Sequence, residues 1–482
     1  MINFRFITSI IGRILCVESL FLLGCFVVAL CYGESDTADF LYSFLITLAA
    51  GLGMIFAARP TDLVLSRKDG YFIVTCTWVA ITLFGALPYL FGNTIPSVVD
   101  AIFETMSGFT TTGATILSHI EELPHATLLW RSLTQWLGGM GIIVLFIAIL
   151  PGLGIEGRDL YVAEVTGPTH DKFTTTFTST ARQMWILYIS LTAIQCLLLI
   201  LGKMEVFDSV CHSLTTMATG GYSTKQASIA YWDSAYIQYI FVLFMFMAGT
   251  NFGLMYSLLL GKPRRMLRDE EFRLYAAIIV VASVIIAAGL CLSQHAPLGQ
   301  SIRNGLFQVV SILTSTGFTT SDYLTWSPLL GAILFILLFI GGCAGSTSGG
   351  MKCIRLSLLF KNSFIEMKRI IHPRAVINVK YNGKSIHPNM MTSIMGFFVL
   401  FMIIFGISSL IMTPFTKDIA TACSAVISAM SNMGPGFGEI GPRETYAALP
   451  AFAKGFLSLL MLVGRLEVFT VLVLFSRAFW RR

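Results

Sequence analysis

Ser107-Gly108-Phe109-Thr110-Thr111-Thr112-Gly113-Ala114-Thr115 is a stretch that recurs, in altered form, three more times along the chain. Its counterparts are Ala218-Thr219-Gly220-Gly221-Tyr222-Ser223-Thr224, Thr314-Ser315-Thr316-Gly317-Phe318-Thr319-Thr320 and Asn432-Met433-Gly434-Pro435-Gly436-Phe437-Gly438. Aligned on one glycine each, the copies lie 107, 97 and 117 residues apart (113 to 220 to 317 to 434). A single Thr-Gly turn would mean little, but four at a near-constant period predict four copies of one structural unit.

The composition of the 482-residue chain is that of a polytopic membrane protein. Hydrophobic residues make up 55% of it and charged residues only 12%, and the mean hydropathy is +0.77. About 20 apolar residues cross the hydrocarbon core of a bilayer. We predict ten such spans, the first of them retained rather than cleaved as a signal peptide. They cover about 14–32, 40–58, 72–92, 128–150, 183–202, 236–260, 273–293, 329–358, 391–412 and 451–478.

Basic residues fall on one side of the membrane if these spans alternate in direction. The clusters lie in residues 59–68, 158–182, 262–273, 361–384 and 477–482. The positive-inside rule makes that side the cytoplasm, where both termini then lie. The net charge of +6 therefore reflects cytoplasmic loops. The opposite loops carry acidic residues, which would either concentrate cations at an outer mouth or be ordinary solvated charges.

Each repeat contains a short amphipathic run that ends at its glycine loop. The aligned windows are 98–113, 205–220, 302–317 and 419–434. A run of about 12 residues is too short to span a bilayer, so we interpret it as a re-entrant half-helix. Twelve positions before the glycines stand Ala101, Asp208, Gly305 and Ala422, three of which are small, as close packing favours.

A half-helix of this kind points its partly negative C-terminus at a cation. Four backbone segments can form a ring of carbonyls that replaces an ion's water shell. The alternative, four glycine-rich turns between helices, does not explain the common register. The predicted filter residues are Thr111, Thr112, Gly113, Ala218, Thr219, Gly220, Ser315, Thr316, Gly317, Asn432, Met433 and Gly434.

The predicted fold is therefore an all-α polytopic membrane protein. Two leading transmembrane helices precede four pseudo-symmetric helix–pore loop–helix repeats around one pore. The predicted boundaries are 1–69 for the leading helices, 70–182 for repeat 1 with a cytoplasmic linker, 183–271 for repeat 2, 272–389 for repeat 3 with a gate loop and linker, and 390–482 for repeat 4.

The four glycine motifs resemble those of the Trk/Ktr/HKT superfamily of potassium transporters, most closely its bacterial TrkH branch, over essentially the full chain. The resemblance implies channel-like K⁺ uptake across the bacterial inner membrane, with Rb⁺ and, more weakly, Na⁺ also passing. None of the four filter glycines is replaced by the serine that accompanies sodium preference in plant relatives. The resemblance also implies a homodimer with one pore per subunit, gated by a cytosolic ring of nucleotide-binding TrkA-like subunits.

Two features within predicted spans suggest a gate. The eighth span is interrupted by ten small or helix-weak residues: Gly341, Gly342, Cys343, Ala344, Gly345, Ser346, Thr347, Ser348, Gly349 and Gly350. Such a run does not sustain a helix, and the family resemblance implies a mobile loop that obstructs the pore. Because the segment offers few apolar contacts, we expect it to be weakly held. Helix packing through small residues is the alternative, and Lys352, just beyond, is expected to pair with an acidic group.

The tenth span carries Arg465 and Glu467, which lie two residues apart and so do not share a helix face. A charge at this depth needs a cavity or a partner. The resemblance implies that Arg465 faces the pore below the filter, whereas a structural salt bridge is the alternative.

Two other functions remain as rivals. A sodium- or proton-coupled K⁺ symporter would share this architecture, although no buried acidic pair stands out as a proton relay. A solute transporter or membrane enzyme would need inverted repeats or a catalytic cluster, and neither is visible.

Ten scattered cysteines give no disulfide framework or zinc site. We predict a transport protein with no organic cofactor, not an enzyme.

Overall fold

The computed structural model describes residues 3–58, 67–141, 177–374 and 377–481. The described chain is helical apart from one small hairpin, in which β1 (Lys380–Tyr381) pairs with β2 (Lys384–Ser385). Six of its helices are long and apolar enough to cross a membrane, or up to eight if two sharply bent helix pairs each count as one span. The all-α class predicted from the sequence is confirmed.

Two antiparallel helices, α1 (Phe4–Tyr32) and α2 (Thr37–Ala57), precede the repeats. The Asn3 side chain caps α1 by accepting a hydrogen bond from the Phe6 N–H at 3.1 Å. Gly33 ends this helix with a φ of +68°, which suits glycine. Helix α1 begins about ten residues before the predicted span at 14–32. The polar residues in its first turns are tolerated near the membrane edge.

The helices of the four repeats follow one pattern: a long first helix, a short pore helix, a loop and a second helix. Repeat 1 contains α3 (Arg67–Gly85), a short α4 (Leu87–Phe91), the pore helix α5 (Val98–Phe109) and α6 (His125–Gly139). Repeat 2 contains α7 (Phe177–Leu201), the pore helix α8 (Val206–Met217), α9 (Ala235–Ala248) and α10 (Phe252–Leu259). The end of the predicted 128–150 span and most of the linker after it lie outside the described residues.

Repeats 3 and 4 continue the pattern after a short helix, α11 (Pro263–Arg268). Repeat 3 contains α12 (Glu270–Gln294), the pore helix α13 (Leu298–Leu313), α14 (Pro328–Leu337) and α15 (Cys353–Ile371). Repeat 4 contains α16 (Pro388–Met412), the pore helix α17 (Ile419–Ser431), α18 (Ala451–Arg465), α19 (Phe469–Leu472) and α20 (Arg477–Trp480).

The pore helices are 12 to 16 residues long and amphipathic, and side-chain caps fix the starts of two of them, α5 and α17. In α17, the Thr421 N–H donates to the Asp418 carboxylate at 2.6 Å. Hydrogen bonds from the Thr421 hydroxyl and N–H lower the pKa of Asp418, which keeps this cap charged. The helices are thereby held as re-entrant elements rather than as extensions of the long helices before them.

Three of the predicted spans are not continuous helices: two bend where the sequence prediction had a straight span and was wrong, and the third breaks as predicted. The 236–260 span bends by 106° between α9 and α10, and the 451–478 span bends by 109° after α18. The 329–358 span breaks between α14 and α15, as the glycine-rich run predicted. Hydropathy alone missed the two bends because the few polar residues at them, Thr250 with Asn251 and Arg465 with Glu467, are outweighed by the apolar residues on both sides. Local groups cause the bends: Asn251 caps α10, and Glu467 and Val468 adopt positive φ.

Close packing of α1 against α2 generates a prediction for stability. A Cβ on Gly51 would come within 2.8 Å of both the Gly12 carbonyl oxygen and the Cys16 sulfur. We expect Gly51→Val to destabilise the protein by about 1–3 kcal/mol through overpacking. Gly53, two residues along the same helix, has open space and is the matched control. Melting temperatures in detergent measure both variants, and equal values would contradict the packing assigned to Gly51.

Candidate ion-conduction site

All four pore helices end in the same backbone motif. The residues at the turn have φ between 51° and 56°, the left-handed region; they are Thr111, Thr219, Ser315 and Asn432. In each loop the next N–H donates to the carbonyl five residues back, at 2.9–3.0 Å: Thr112 to Ser107, Gly220 to Thr215, Thr316 to Ser311 and Met433 to Ser428. This Schellman cap satisfies carbonyls at the helix C-terminus and turns the chain out of the helix.

Beyond the caps, the four loops close into a ring. Glycines at one equivalent position have φ of 77–92°: Gly113, Gly221, Gly317 and Gly434. A Cβ on each of the first three would overlap a carbonyl oxygen of the next loop, namely that of Gly220, Thr316 and Met433 respectively. A Cβ on Gly434 would lie 2.7 Å from the Thr112 carbonyl oxygen, which returns to the first loop. The backbones therefore meet in the cyclic order of the repeats.

The ring corrects the predicted register of the second loop by one residue. Gly221, not Gly220, is equivalent to Gly113, so the predicted triplet Ala218, Thr219 and Gly220 becomes Thr219, Gly220 and Gly221. The sequence offered two adjacent glycines, and matching the Thr-Gly dipeptide selected the wrong one. Ala218 instead lies at the end of the pore helix, as the cap of α8.

The corrected register also accounts for Asp208, which was the one residue of its aligned position in the sequence that was not small. Twelve positions before the ring glycines, Ser209 now replaces Asp208 in the second repeat. All four residues at this position are small and buried: Ala101, Ser209, Gly305 and Ala422. The pore helices therefore pack closely at one common point in every repeat.

Side chains of the predicted filter residues are buried and mostly bonded within their own loops. The Thr112 hydroxyl lies 2.8 Å from that of Thr110, and the Thr316 hydroxyl lies 2.8 Å from that of Thr314. Asn432 links two loops by donating to the Thr112 hydroxyl at 3.0 Å. These bonds fix the backbone conformation of the ring, and Met433 is also buried.

Two small cavities adjoin this region. One of about 70 Å³ is lined by the ring glycines Gly113, Gly221 and Gly317 together with Pro435, one residue from each loop. The other, of about 90 Å³, is lined by Gly349, Gly350, Lys352 and Arg465 among others. The first borders the ring and the segments that follow its loops, whereas the second lies among the residues predicted to form a gate.

The 341–350 loop touches all four repeats next to the ring. Its Thr347 hydroxyl donates to the carbonyl of Met217, the last residue of α8, at 3.0 Å. Its Gly349 N–H donates to the Ser315 hydroxyl at 2.6 Å, and a Cβ on Gly349 would overlap the Ser431 carbonyl oxygen at the end of α17. Arg465 connects the loop to the remaining repeat.

Arg465 donates hydrogen bonds to four groups from three parts of the chain. It reaches the Thr111 hydroxyl at 3.0 Å and the Thr347 carbonyl at 2.9 Å. It also reaches the carbonyls of Gly138 and Gly139, at the end of α6, at 2.6 and 2.8 Å. The half-buried guanidinium thus joins the first ring loop to the 341–350 loop.

The expectation that the 341–350 loop is weakly held was wrong. The Glu271 carboxylate accepts the N–H groups of both Ala344 and Ile354, at 2.8 and 2.9 Å. The Cys343 N–H donates to the Gly249 carbonyl at 2.8 Å. Glycine leaves backbone groups free for such bonds, because no side chain blocks the close approach of a neighbour.

The other predicted gate residues belong to the same hydrogen-bonded unit. The Gly341 N–H donates to the Met351 carbonyl, and the Gly342 N–H to the Ser348 hydroxyl, both at 2.9 Å. The Gly345 carbonyl accepts from the Phe252 N–H, the Ser346 hydroxyl donates to the Cys343 carbonyl, and Gly350 has a φ of +68°.

Lys352 does not form the ion pair expected of it among the described residues. Its ammonium group instead donates to the Ser348 carbonyl, at the turn of the loop. Glu467 forms an ion pair with Arg355, whose guanidinium also lies 3.9 Å from the centre of the Phe397 ring. Arg465 and Glu467 therefore have different partners, in agreement with their separate helix faces.

Sequence reasoning missed a buried polar cluster behind the first two ring loops. Arg131 and Glu104 form an ion pair at 3.0 Å with side chains no more than 1% exposed. Arg131 also lies 4.2 Å from the centre of the Tyr222 ring. Gln135 donates to the Gly220 carbonyl at 2.7 Å and accepts from the Tyr222 N–H at 3.0 Å. The sequence signal that could have found this cluster is Arg131, a charged residue within an apolar segment. A signal of the same kind identified Arg465.

Comparisons with known proteins agree on one family. The family model described as "TrkH: Cation transport protein" matches residues 37–482. The chain is 39% identical to the Trk system potassium uptake protein TrkH of Escherichia coli K12, covering 99% of this chain and all of that protein. It is 34% identical to TrkG of the same organism, over 99% of both chains. The crystal structure of the potassium transporter TrkH from Vibrio parahaemolyticus matches with a TM-score of 0.90 and 37% identity, over 99% of this chain and all of that one.

The corrected register predicts different effects for two neighbouring glycines. Gly221→Ala places a Cβ at positive φ and against the backbone of the next loop, so we expect it to disrupt the ring and abolish flux. The Cβ added in Gly220→Ala meets the Gln135 side chain, so we expect this variant to keep partial flux. Adding Gln135→Ala to the same protein should restore the flux. Liposome flux of purified, monodisperse variants measures both. A more severe defect in Gly220→Ala would favour the original register.

Proposed function

Because the chain belongs to the TrkH family of cation transport proteins, which are transporters rather than enzymes, we propose that it conducts potassium ions through one pore formed by its four repeats. The observation that carries the proposal is the closed ring in which a glycine of each loop lies against a carbonyl of the next. The identity of the ion comes from the relatives, which are potassium uptake proteins.

The filter in this proposal consists of the ring backbone. Its residues are Thr111, Thr112 and Gly113, then Thr219, Gly220 and Gly221, then Ser315, Thr316 and Gly317, and finally Asn432, Met433 and Gly434. Carbonyl groups of these loops replace the water shell of the ion. The C-termini of the four pore helices face the ring and add a partly negative potential that favours a cation.

The 341–350 loop closes this pore in the conformation described. It contacts the ends of two pore helices and one ring loop, and Arg465 and Lys352 place two positive charges beside it. Fixed positive charges in a narrow path raise the barrier to a cation. Opening requires that the loop exchange its hydrogen bonds for others, since unsatisfied backbone groups are costly away from water.

The protein acts in the bacterial inner membrane as a multi-pass homodimer with cytoplasmic termini. A cytosolic TrkA-like nucleotide-binding ring supplies the energy that moves the 341–350 loop. The basic segments 262–273 and 361–384 are the proposed contacts, because they project charge on the side where the loop is attached. A sodium- or proton-coupled K⁺ symporter is the alternative to passive conduction.

The bi-ionic reversal potential of purified protein in planar bilayers tests both ion choice and mechanism. A passive K⁺ pore gives a reversal potential set by the K⁺ and Na⁺ gradients and their permeability ratio. We expect Gly113→Ser to lower K⁺ preference by about tenfold, since a loss of about 1.4 kcal/mol in discrimination has that effect. Its side chain would overlap the Gly220 carbonyl oxygen.

Gly331→Ser is the control, because a Cβ there meets only the edge of Phe437 at 3.7 Å. Equal permeability ratios in the two variants would remove Gly113 from the filter. A wild-type reversal potential that follows a proton gradient would favour the coupled symporter instead.

Arg465→Ala provides the test of the gate. It removes a positive charge and the link between the 341–350 loop and Thr111. We expect about tenfold more Rb⁺ flux into liposomes if the barrier falls by about 1.4 kcal/mol. Arg465→Lys keeps the charge and should stay near wild type. If Arg465 is only structural, the alanine variant will show a lower melting temperature and unchanged flux per folded protein.

A further inference from the structure

A large cavity is lined by residues other than those of the ring and the 341–350 loop. Its volume is about 890 Å³, within the range of small-molecule sites. The turn between α11 and α12 forms one wall, and the hairpin of β1 and β2 forms the other. Two parts of the chain that are more than 100 residues apart, the α11–α12 turn and the hairpin, therefore meet around one space.

Four basic side chains line this cavity: Arg265, Arg268, Arg273 and Lys384. All four are exposed, and none forms an ion pair within the part of the chain that the structure describes. They come from α11, from the first turn of α12 and from the hairpin, so the charges surround the space rather than follow one helix face. Cations grouped in this way repel one another unless an anion joins them.

The acidic residues of the same cavity are engaged elsewhere. Asp269 accepts from the Phe272 N–H at 2.9 Å and from the Asn382 amide at 2.7 Å. Glu270 forms an ion pair with Lys361. The Glu271 carboxylate binds two N–H groups at the ends of the 341–350 loop. The four basic side chains outnumber the three carboxylates, of which Glu270 is already paired with Lys361, so the cavity keeps a net positive charge.

We propose that this cavity binds a phosphate-bearing anion. Phosphate carries the charge that four cations can neutralise, and guanidinium groups bind its oxygens with two parallel hydrogen bonds. The cavity lies at the start of α12, a membrane-spanning helix, so two sources share this chemistry. One is the headgroup of an anionic lipid, and the other is a soluble polyphosphate.

The floor of the cavity holds the 341–350 loop. Asn251 and Glu271 both line the cavity, and the Asn251 amide donates to the Ala344 carbonyl at 2.6 Å. A bound anion would repel the Glu271 carboxylate and weaken its hold on the N–H groups of Ala344 and Ile354. Binding then favours release of the loop and a higher cation flux, a consequence that rests on the proposed function.

Isothermal titration of the full-length chain in phosphatidylcholine nanodiscs, with tripolyphosphate as the probe, tests the site without any flux measurement. We expect saturable, salt-sensitive binding. The double variant Arg265→Gln with Arg268→Gln should lose at least about tenfold in affinity. Arg264→Gln is the matched control, because Arg264 lies on the same helix but outside the cavity lining.

An equal loss in Arg264→Gln, or binding that does not saturate, would overturn the site in favour of diffuse charge attraction. Phosphatidic acid in the nanodiscs separates the two sources. If the lipid headgroup occupies the cavity, the apparent affinity for tripolyphosphate falls in the wild type and not in the double variant. If a soluble polyphosphate is the ligand, the wild-type affinity stays unchanged.

Rb⁺ flux into liposomes then tests the link to the gate. We expect tripolyphosphate, supplied on the side of the cavity, to raise wild-type flux and to leave the double variant at its basal rate. Saturable binding with unchanged wild-type flux would refute the link to the loop while leaving the site in place. Basal flux that is absent from every variant would instead count against the proposed function.

Discussion

Backbone groups that leave a helix inside a membrane must find partners within the protein, and this constraint governs the whole structure. The four pore helices end inside the protein among the long apolar helices, and their Schellman caps satisfy the first carbonyls of each end. The remaining backbone of each loop packs against the next loop, where glycine permits both the positive φ and the close approach. A ring of four is the arrangement in which every loop has a neighbour on both sides. The closure of the ring and the satisfaction of its backbone groups therefore have one origin.

The same constraint explains why the 341–350 loop is firmly held rather than loose. Ten residues without a helix expose many N–H and carbonyl groups, and the closed conformation satisfies them with Glu271, Gly249, Ser315 and Arg465. Each bond joins the loop to a different element. Movement of the loop must therefore break several bonds at once, which favours two distinct states over a continuous range.

The sequence predicted the fold well because hydrophobic length and a repeated motif are properties of the chain itself. The four repeats, the short pore helices and the break after α14 were all visible there. The one-residue register of the second loop was not, because Gly220 and Gly221 differ only in their φ and in the carbonyl that each faces. The bends after α9 and α18 were also hidden, since only a few polar residues at each are set among long apolar runs. Partners such as Glu271 for Ala344, or Arg131 for Glu104, are 73 and 27 residues apart, and only the folded backbone brings them together.

The second helices of the repeats show how repeat 3 differs from the other repeats. As described, α6, α9, α14 and α18 are only 10 to 15 residues long, and the last three are followed by a bend or break. At about 1.5 Å per residue, none of these helices crosses a bilayer alone. Repeats 2 and 4 turn sharply at this point. Repeat 3 breaks instead and continues as the 341–350 loop, whose glycines approach Gly249 in repeat 2 and Ser431 in repeat 4. The loop is thus a local elaboration of a break common to these three repeats, and the fourfold pseudosymmetry of the ring is kept although the loop beside it is single.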